Sequence, residues 1–285
     1  VMERKVLFEI EALYRDDFRV TGFAFGKGEK ALCIVGSMRG NENQQLFACS
    51  RLVRRLKELE EKGRIAPGKE ILVIPCANPY SMNVKKRFWP IDNTDINRMF
   101  PGYSEGETTQ RIAAGVFEAV KDYQYGIQFA SFYMPGAFVS HVRMMKTGYE
   151  NVELAKKFGL PYVVLHTPRP FDTATLNYNW QIWETNAFSV YTTNTARVDQ
   201  ESAKQAVDAI LNFMSKQGLI SYRGYDGYVS QVIESEDFVS VRAEDAGFFE
   251  GFVKPGEEVE EGQLLARIWD PYLGTMRSAL YAPVH

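Results

Sequence analysis

Buried strands that alternate with amphipathic helices constrain the fold of this chain more than any other feature. The apolar segment 30–37, KALCIVGS, precedes a helical pattern that begins at Asn41 and ends near Gly63, and a second apolar segment, EILVIPC, occupies 70–76. Within the helical pattern, apolar side chains recur at intervals of three and four residues: Leu46, Cys49, Leu52, Val53, Leu56 and Leu59. Nearly continuous apolar strands are typical of parallel sheets that helices cover on both faces.

The same alternation continues to about residue 216. Further strands are predicted at 5–13, 18–26, 125–132, 136–144, 161–166 and 187–193, and further helices at 105–123, 149–158 and 200–216. A long irregular segment is predicted at 77–104. The sequence therefore predicts an α/β domain over residues 1–221, in which helices flank a mixed sheet. Binding sites in such folds lie beyond the carboxyl ends of strands, and the turn at 36–42 would lie there.

The pattern changes after residue 221. Short apolar pieces (YVSQVI, FVSVRA, LLARIW) are separated by Gly, Pro and acidic turns, and no helical period continues. This predicts a small all-β module over residues 222–285. A scaffold role, in which this module drives formation of a homo-oligomer, is one interpretation of it.

Composition excludes several partners. The 285 residues carry a net charge of −3, which provides no basic field for nucleic acid. No run of eighteen apolar residues is present, so we expect no membrane span. The N-terminal segment lacks the apolar core of a signal peptide, and the three cysteines have no paired spacing. The cytoplasm is therefore the expected location.

Four segments, taken in order, carry a family resemblance. They are GSMRGNE at 36–42, NPYSMNVKKRFWPIDNTDINRMFPG at 78–102, SHVRM at 140–144 and GFFEGFVKPGEEVEEGQLLARIWDP at 247–271. The set resembles the succinylglutamate desuccinylase/aspartoacylase family of zinc carboxypeptidase-like hydrolases. The resemblance implies a zinc-carboxypeptidase-like fold with a C-terminal β module. It also implies a deacylase or amidohydrolase that acts on a small N-acyl or amide compound bearing a carboxylate.

The resemblance implies a zinc site, from which this sequence departs. The family binds zinc through a His and a Glu of the first turn and a His one strand later. Here Arg39 takes the first position, Glu42 is retained, and Gln128 aligns with the later His. A guanidinium has no lone pair to offer, and a glutamine oxygen is a weak ligand. We expect a degenerate site with no metal cofactor, and stoichiometric zinc would refute this expectation.

The same departure changes the expected chemistry. We expect Arg39 and Glu42 to form an ion pair that binds an anion or a carbonyl, or else only stiffens the turn. In an enzyme, Arg39 would replace the metal as electrophile, with Glu42 or Tyr191 transferring protons. The resemblance implies that the family's general base is a Glu on a later strand. Tyr191 lies nearest to that position, and Glu184 is the fallback.

Histidines offer a weak alternative route to a metal. The chain has His141, His166 and His285, and neither His141 nor His166 has a second His or Cys at ligand spacing. A rearranged site that uses Glu42, Asp95 and His141 is one possibility. Packed or hydrogen-bonded histidines are the simpler interpretation.

Substrate recognition is the better preserved half of the resemblance. It implies that Asn97 and Arg98 bind a substrate carboxylate, for which the two parallel N–H groups of arginine are suited. Further candidates for the same cleft are Arg87, His141 and Arg143. Simple surface roles remain open for these three. Asp92 and Asp95 either orient the cations or form a turn.

Two functions follow from these observations. The first is a deacylase-type hydrolase with a degenerate metal site. The second is a non-catalytic protein that binds a carboxylate ligand on the same scaffold. Both have a small-molecule carboxylate as partner, and neither involves nucleic acid or a membrane.

Overall fold

The computed structural model describes residues 1–224 and 226–283 and is built around a nine-stranded mixed sheet. The strands are β1 (Glu3–Ile10), β2 (Phe18–Gly26), β3 (Glu29–Val35), β4 (Lys69–Ile74), β5 (Tyr125–Ala130), β6 (His141–Met145), β7 (Tyr162–His166), β8 (Asn186–Tyr191) and β9 (Gln231–Glu234). Their spatial order is β1-β2-β4-β3-β5-β8-β6-β7-β9. The central strands β4, β3, β5 and β8 run parallel to one another, so their carboxyl ends share one edge of the sheet.

Helices cover both faces of this sheet. They are α1 (Asn43–Glu61), α2 (Pro79–Asn83), α3 (Thr108–Val120), α4 (Val152–Lys156), α5 (Leu176–Ile182) and α6 (Gln200–Lys216). One apolar cluster joins the sheet to α1 and α6 through residues such as Leu52 and Ile210. A second cluster joins the opposite face to α3 and α5 through Ile112 and Trp180. This architecture confirms the predicted α/β fold with a mixed sheet between helices.

The C-terminal part contains a separate three-stranded antiparallel sheet. It consists of β10 (Phe248–Gly251), β11 (Leu264–Trp269) and β12 (Met276–Tyr281). β9 lies inside the predicted module but pairs in parallel with β7 of the large sheet. Residues 238–243 form no strand. The domain boundary at 221/222 stays a prediction, and His285 lies outside the described residues.

Several element boundaries differ from the sequence prediction. The segment 77–104 contains α2 and a 3-10 turn, Ile96–Arg98. Residues 136–140 precede β6 and are not a strand, which fits the Pro-Gly pair at 135–136 that interrupts extended pairing. Helix α5 was not predicted, because seven residues give too few turns for a helical period to stand out. No helix in the described ranges has the length and apolar character needed to cross a membrane.

Candidate functional site

The carboxyl ends of β3, β5 and β8 border a polar cavity of about 270 Å³. Its lining includes six residues predicted from the sequence: Arg39, Asn97, Arg98, Gln128, Arg143 and Tyr191. A second cavity of about 440 Å³ shares Arg39, Arg98 and Ser131 with the first and adds Arg87 and Asp95. The two cavities form one cleft, which we call the polar cleft. The position of the cleft agrees with the rule that α/β sheets bind ligands beyond strand carboxyl ends.

Arg39 lies in the tight turn that follows β3. The backbone of this turn packs so closely on the next loop that a Cβ at Gly40 would lie 2.0 Å from the carbonyl oxygen of Lys86. Glycine at this position therefore lets the turn place Arg39 at the base of the cleft. The Arg39 side chain is buried, and its Nη2 and Nε donate to Asp95 Oδ2 at 2.8 and 3.2 Å.

The main ion pair of Arg39 differs from the predicted one. Its Nη1 lies 3.9 Å from Glu42 Oε2, so Asp95 and not Glu42 is the close partner. Asp95 is available because its Oδ1 accepts from the Asn97 N–H at 3.1 Å, which leaves Oδ2 for the guanidinium. Burial opposes the charge on Arg39, but Glu42 and Asp95 outweigh it and raise the pKa of Arg39.

Glu42 is held by three donors. Its Oε1 accepts from the Arg39 backbone N–H at 2.8 Å, and its Oε2 accepts from Gln45 Nε2 and from Ser131 Oγ, each at 2.6 Å. Glu42 is buried and is absent from the lining of the cleft, whereas Ser131 lines both cavities. The Ser131 hydroxyl therefore connects the Glu42 carboxylate to the cleft.

Gln128 lies in β5 and orients Asn97. Its Nε2 donates to Asn97 Oδ1 at 3.2 Å, and the same oxygen accepts from the Leu176 N–H at 3.2 Å. These bonds fix the amide plane of Asn97 and leave its Nδ2 group as the donor for a ligand.

The cations at the wall of the cleft are positioned by neighbouring loops. Arg98 Nη1 donates to the Phe171 carbonyl oxygen at 3.0 Å and lies 3.4 Å from Asp172 Oδ1. Arg143 Nε donates to His166 Nδ1 at 3.1 Å. Burial, reinforced by Arg143, lowers the pKa of His166 to about 4. The imidazole is therefore neutral at pH 7 and accepts this bond, so the positive charge stays on Arg143.

Tyr191 ends β8, and its ring stacks on His141 with 4.6 Å between centroids. Burial raises the pKa of Tyr191, so its phenol is protonated and can donate. His141 is absent from the lining of the polar cleft, contrary to the prediction that it binds substrate there. It lies against Tyr191 and lines a neighbouring groove instead, because it pairs directly with Tyr191 across β6 and β8.

Three further sequence candidates have simpler surroundings. Arg87 lines the second cavity and donates to the Tyr133 carbonyl oxygen, and burial together with Arg39 lowers the pKa of Arg87. Asp92 accepts from the Thr94 N–H at 3.0 Å, which is turn chemistry. Glu184 is exposed after α5 and lines neither cavity, so it is not placed as a base.

Sequence reasoning missed other residues of the cleft. The charged, imidazole and hydroxyl groups among them include Ser131, His166, Arg169 and Asp172. Ser131 follows β5 directly, and His166 ends β7. Their positions at strand carboxyl ends were the signal that could have identified them.

The residues that the sequence resemblance aligns with zinc ligands do not fit zinc. Two guanidinium nitrogens of Arg39 donate to Asp95, and the amide nitrogen of Gln128 donates to Asn97. Within 1–224 and 226–283, no three His, Cys, Asp or Glu side chains are grouped so that they could hold a metal ion. The rearranged set of Glu42, Asp95 and His141 is therefore not such a group.

Comparison with known proteins identifies the family of this chain. Residues 28–216 match the family model of the succinylglutamate desuccinylase/aspartoacylase catalytic domain. This range contains every residue that lines the polar cleft. A curated relative, the N-alpha-acetyl-L-2,4-diaminobutyric acid deacetylase of Halomonas elongata, is 26% identical over 269 residues. That alignment covers 88% of this chain and 73% of the relative.

Two solved structures have the same fold. The product-bound ectoine utilization protein EutE (DoeB) of Ruegeria pomeroyi superposes with a TM-score of 0.80 at 19% identity and covers 99% of this chain and 87% of that one. The succinylglutamate desuccinylase/aspartoacylase of Rhodobacter sphaeroides superposes with a TM-score of 0.76 at 20% identity and covers 94% and 82%.

Proposed function

This chain belongs to the succinylglutamate desuccinylase/aspartoacylase family, and from this premise we propose that it binds a small carboxylate-bearing N-acyl or amide compound and cleaves the amide bond without zinc. One observation carries the proposal. Four arginines line the same 270 Å³ cavity: Arg39, Arg98, Arg143 and Arg169. Among the described residues of this lining, Asp172 is the acidic one. Converging guanidinium groups attract an anion and fix a carboxylate through paired hydrogen bonds.

The wall of the cleft suits the carboxylate of the ligand. Arg143 donates from Nε to His166, which leaves its two terminal nitrogens as donors for a ligand. Asn97 keeps its Nδ2 group for the same purpose. The curated relative from Halomonas elongata is named for an N-acetyl amino acid, a compound of this class.

The base of the cleft suits the reacting amide. Arg39 Nη1 makes only a long contact to Glu42, so it can donate to the oxyanion that develops when water adds to the carbonyl. The protonated phenol of Tyr191 supplies a second donor. The proton that water loses passes through the Ser131 hydroxyl to Glu42 and returns by the same route to the departing nitrogen. The products are a carboxylic acid and an amine.

No step of this scheme passes through zinc, because the donor set does not fit that ion. A fixed guanidinium would repel a divalent cation at this position. An arginine does not acidify water as zinc does. We therefore expect slower turnover than a zinc-dependent deacylase would give.

A binding protein without catalysis is the second candidate. The observation that favours it is the set of three hydrogen bonds on Glu42, which keep this carboxylate away from the cleft. A carboxylate whose oxygens already accept three hydrogen bonds has fewer lone pairs left to contact a ligand or a water molecule. In this candidate the arginines recognise the same carboxylate, and no amine is released.

Calorimetry and amine release on chelator-treated protein test both candidates. N-acetyl and N-succinyl amino acids are the ligands, and Arg143→Gln is compared with Arg54→Gln, whose side chain is exposed on α1. We expect wild type to bind and release amine, Arg143→Gln to weaken binding at least tenfold, and Arg54→Gln to behave as wild type. Binding without amine release supports the second candidate. Stoichiometric zinc whose removal abolishes activity contradicts the proposal.

A further inference from the structure

A largely apolar groove of about 720 Å³ adjoins the polar cleft. The two share Phe132 and Arg143. Its other walls include Phe138, Val164, Ile233 and Phe238, which come from three separate parts of the chain. A concave, mostly apolar site of this volume with a few polar groups is typical of small-molecule binding.

Arg143 marks the boundary between the groove and the cleft. Its guanidinium carbon lies 5.7 Å from the ring centre of Phe132 and 5.9 Å from that of Tyr191. The bond from its Nε to His166 fixes the direction of the guanidinium plane. A carboxylate on Arg143 therefore has the reacting end of the cleft on one side and the apolar groove on the other.

His141 supplies an independent sign of a ligand in the groove. Its Nδ1 lies 2.7 Å from the Val139 carbonyl oxygen, so Nδ1 carries the hydrogen and Nε2 is an acceptor. His141 is only 6% exposed, and its Nε2 has no partner within the described part of the chain. An unpaired buried acceptor costs free energy, which a ligand N–H or O–H group would recover.

We propose that this groove is a subsite for the hydrocarbon part of the ligand, so that the preferred compounds carry a medium-length or aromatic apolar group on the carbon next to the carboxylate. The inference rests on the proposed function of the polar cleft, which supplies the carboxylate contact. The hydrocarbon branches from the carbon that bears the carboxylate and packs on Phe138, Phe238 and Ile233, and a hydroxyl group on it can donate to His141. The amide stays at the base of the cleft beside Arg39 and Tyr191.

Calorimetric titration with N-acetylglycine and with the N-acetyl derivatives of 2-aminobutanoic, 2-aminohexanoic and 2-aminooctanoic acid tests the subsite. Wild type is expected to bind about fourfold more tightly for each added methylene, as burial of a CH₂ group predicts. Phe238→Ser and Ile233→Ser are expected to reduce this gain by at least half and to leave the Kd of N-acetylglycine within about twofold. Phe248→Ser, at an exposed position of β10 outside the groove, is the matched control and is expected to keep the full gain.

The outcomes separate this inference from the proposed function. Equal affinity for N-acetylglycine and N-acetyl-2-aminooctanoic acid in wild type overturns the subsite, and so does a chain-length gain that persists in Phe238→Ser and Ile233→Ser. N-acetyl-2-aminooctanamide lacks the carboxylate. If it binds as tightly as N-acetyl-2-aminooctanoic acid, the carboxylate contact fails while the subsite stands. Thermal unfolding of each variant confirms that the groove residues were replaced in folded protein.

Discussion

Arg39 Nη2 lies 2.8 Å from Asp95 Oδ2, and this pair joins the turn after β3 to the loop before the 3-10 turn Ile96–Arg98. The two side chains are only 9% and 13% exposed. A pair this buried is costly to break from one side, because the remaining charge keeps its desolvation cost and loses its partner. The Arg39–Asp95 pair therefore holds the base of the polar cleft in place.

Replacement of Arg39 by Met is expected to lower the free energy of unfolding by about 3 kcal/mol, because it leaves the partly buried Asp95 carboxylate without its cation. The double variant Arg39→Met/Asp95→Leu is expected to lose less than the sum of its two single variants. Urea unfolding of all four proteins measures the coupling. The exposed Arg54–Glu58 pair is the control, for which the same cycle should give below about 1 kcal/mol. Additive losses at Arg39 and Asp95 would contradict the role of the pair.

Introducing at positions 39 and 128 the histidines that the family resemblance implies is expected to create a metal site. The variant Arg39→His/Gln128→His places two imidazoles beside Glu42, which gives the three-ligand set that zinc sites use. We expect about one zinc per chain after dialysis against the metal, measured by atomic emission. The single variants Arg39→His and Gln128→His are the controls and should retain much less. Equal zinc in wild type and the double variant would show that Arg39 does not exclude the ion.

Much of the fold follows from the sequence for simple physical reasons. The segments 30–37 and 70–76 are almost wholly apolar, because both faces of the central strands are covered. The amphipathic period of α1 and its end before Gly63, whose φ is +65°, also follow from local sequence. Such features depend on neighbours in the chain, so that residue spacing is sufficient to predict them.

The parts that the sequence did not yield depend on distant contacts. The partner of Arg39 is 56 residues away, whereas Glu42 is three residues away and was the natural guess. His141 stacks on Tyr191 because β6 and β8 are neighbours in the sheet, although β7 separates them along the chain. Strand order and register decide such pairs, and neither is encoded in a local pattern.

Acid is expected to destabilise the protein through His141. Burial, with a smaller contribution from Arg143, lowers the pKa of His141 to about 4, from an ordinary value of 6.5. Between pH 6.5 and 4 the unfolded chain therefore binds a proton that folded His141 does not, and stability falls as pH falls through this window. One histidine with this shift accounts for about 2 kcal/mol between pH 7 and pH 5.

The variant His141→Phe isolates this effect, since phenylalanine can still stack on Tyr191 but does not titrate. Its free energy of unfolding, measured in urea at pH 7 and pH 5, should fall by about 2 kcal/mol less than that of wild type. His166, with a pKa also lowered to about 4, remains in both proteins and cancels from the comparison. The same fall with acid in both proteins would rule out His141 as its source.

Gly126 of β5 leaves room for the indole of Trp180, and this contact supports the strand that carries Gln128. A Cβ at position 126 would lie 2.8 Å from two ring atoms of Trp180. The indole is fully buried, and its Nε1 donates to the Val120 carbonyl oxygen at 3.2 Å, so it has little freedom to move away. Gly126→Ala is therefore expected to lower the free energy of unfolding by about 1–3 kcal/mol, measured in urea, as overpacking of a core does.

Gly136→Ala is the matched control, because the added carbon meets only the far end of the Phe138 ring at 3.2 Å. Its loss of stability should stay below about 0.5 kcal/mol. A Gly126→Ala variant as stable as wild type would show that the Trp180 indole moves aside at little cost. The indole would then not hold β5, and with it Gln128, in a fixed position.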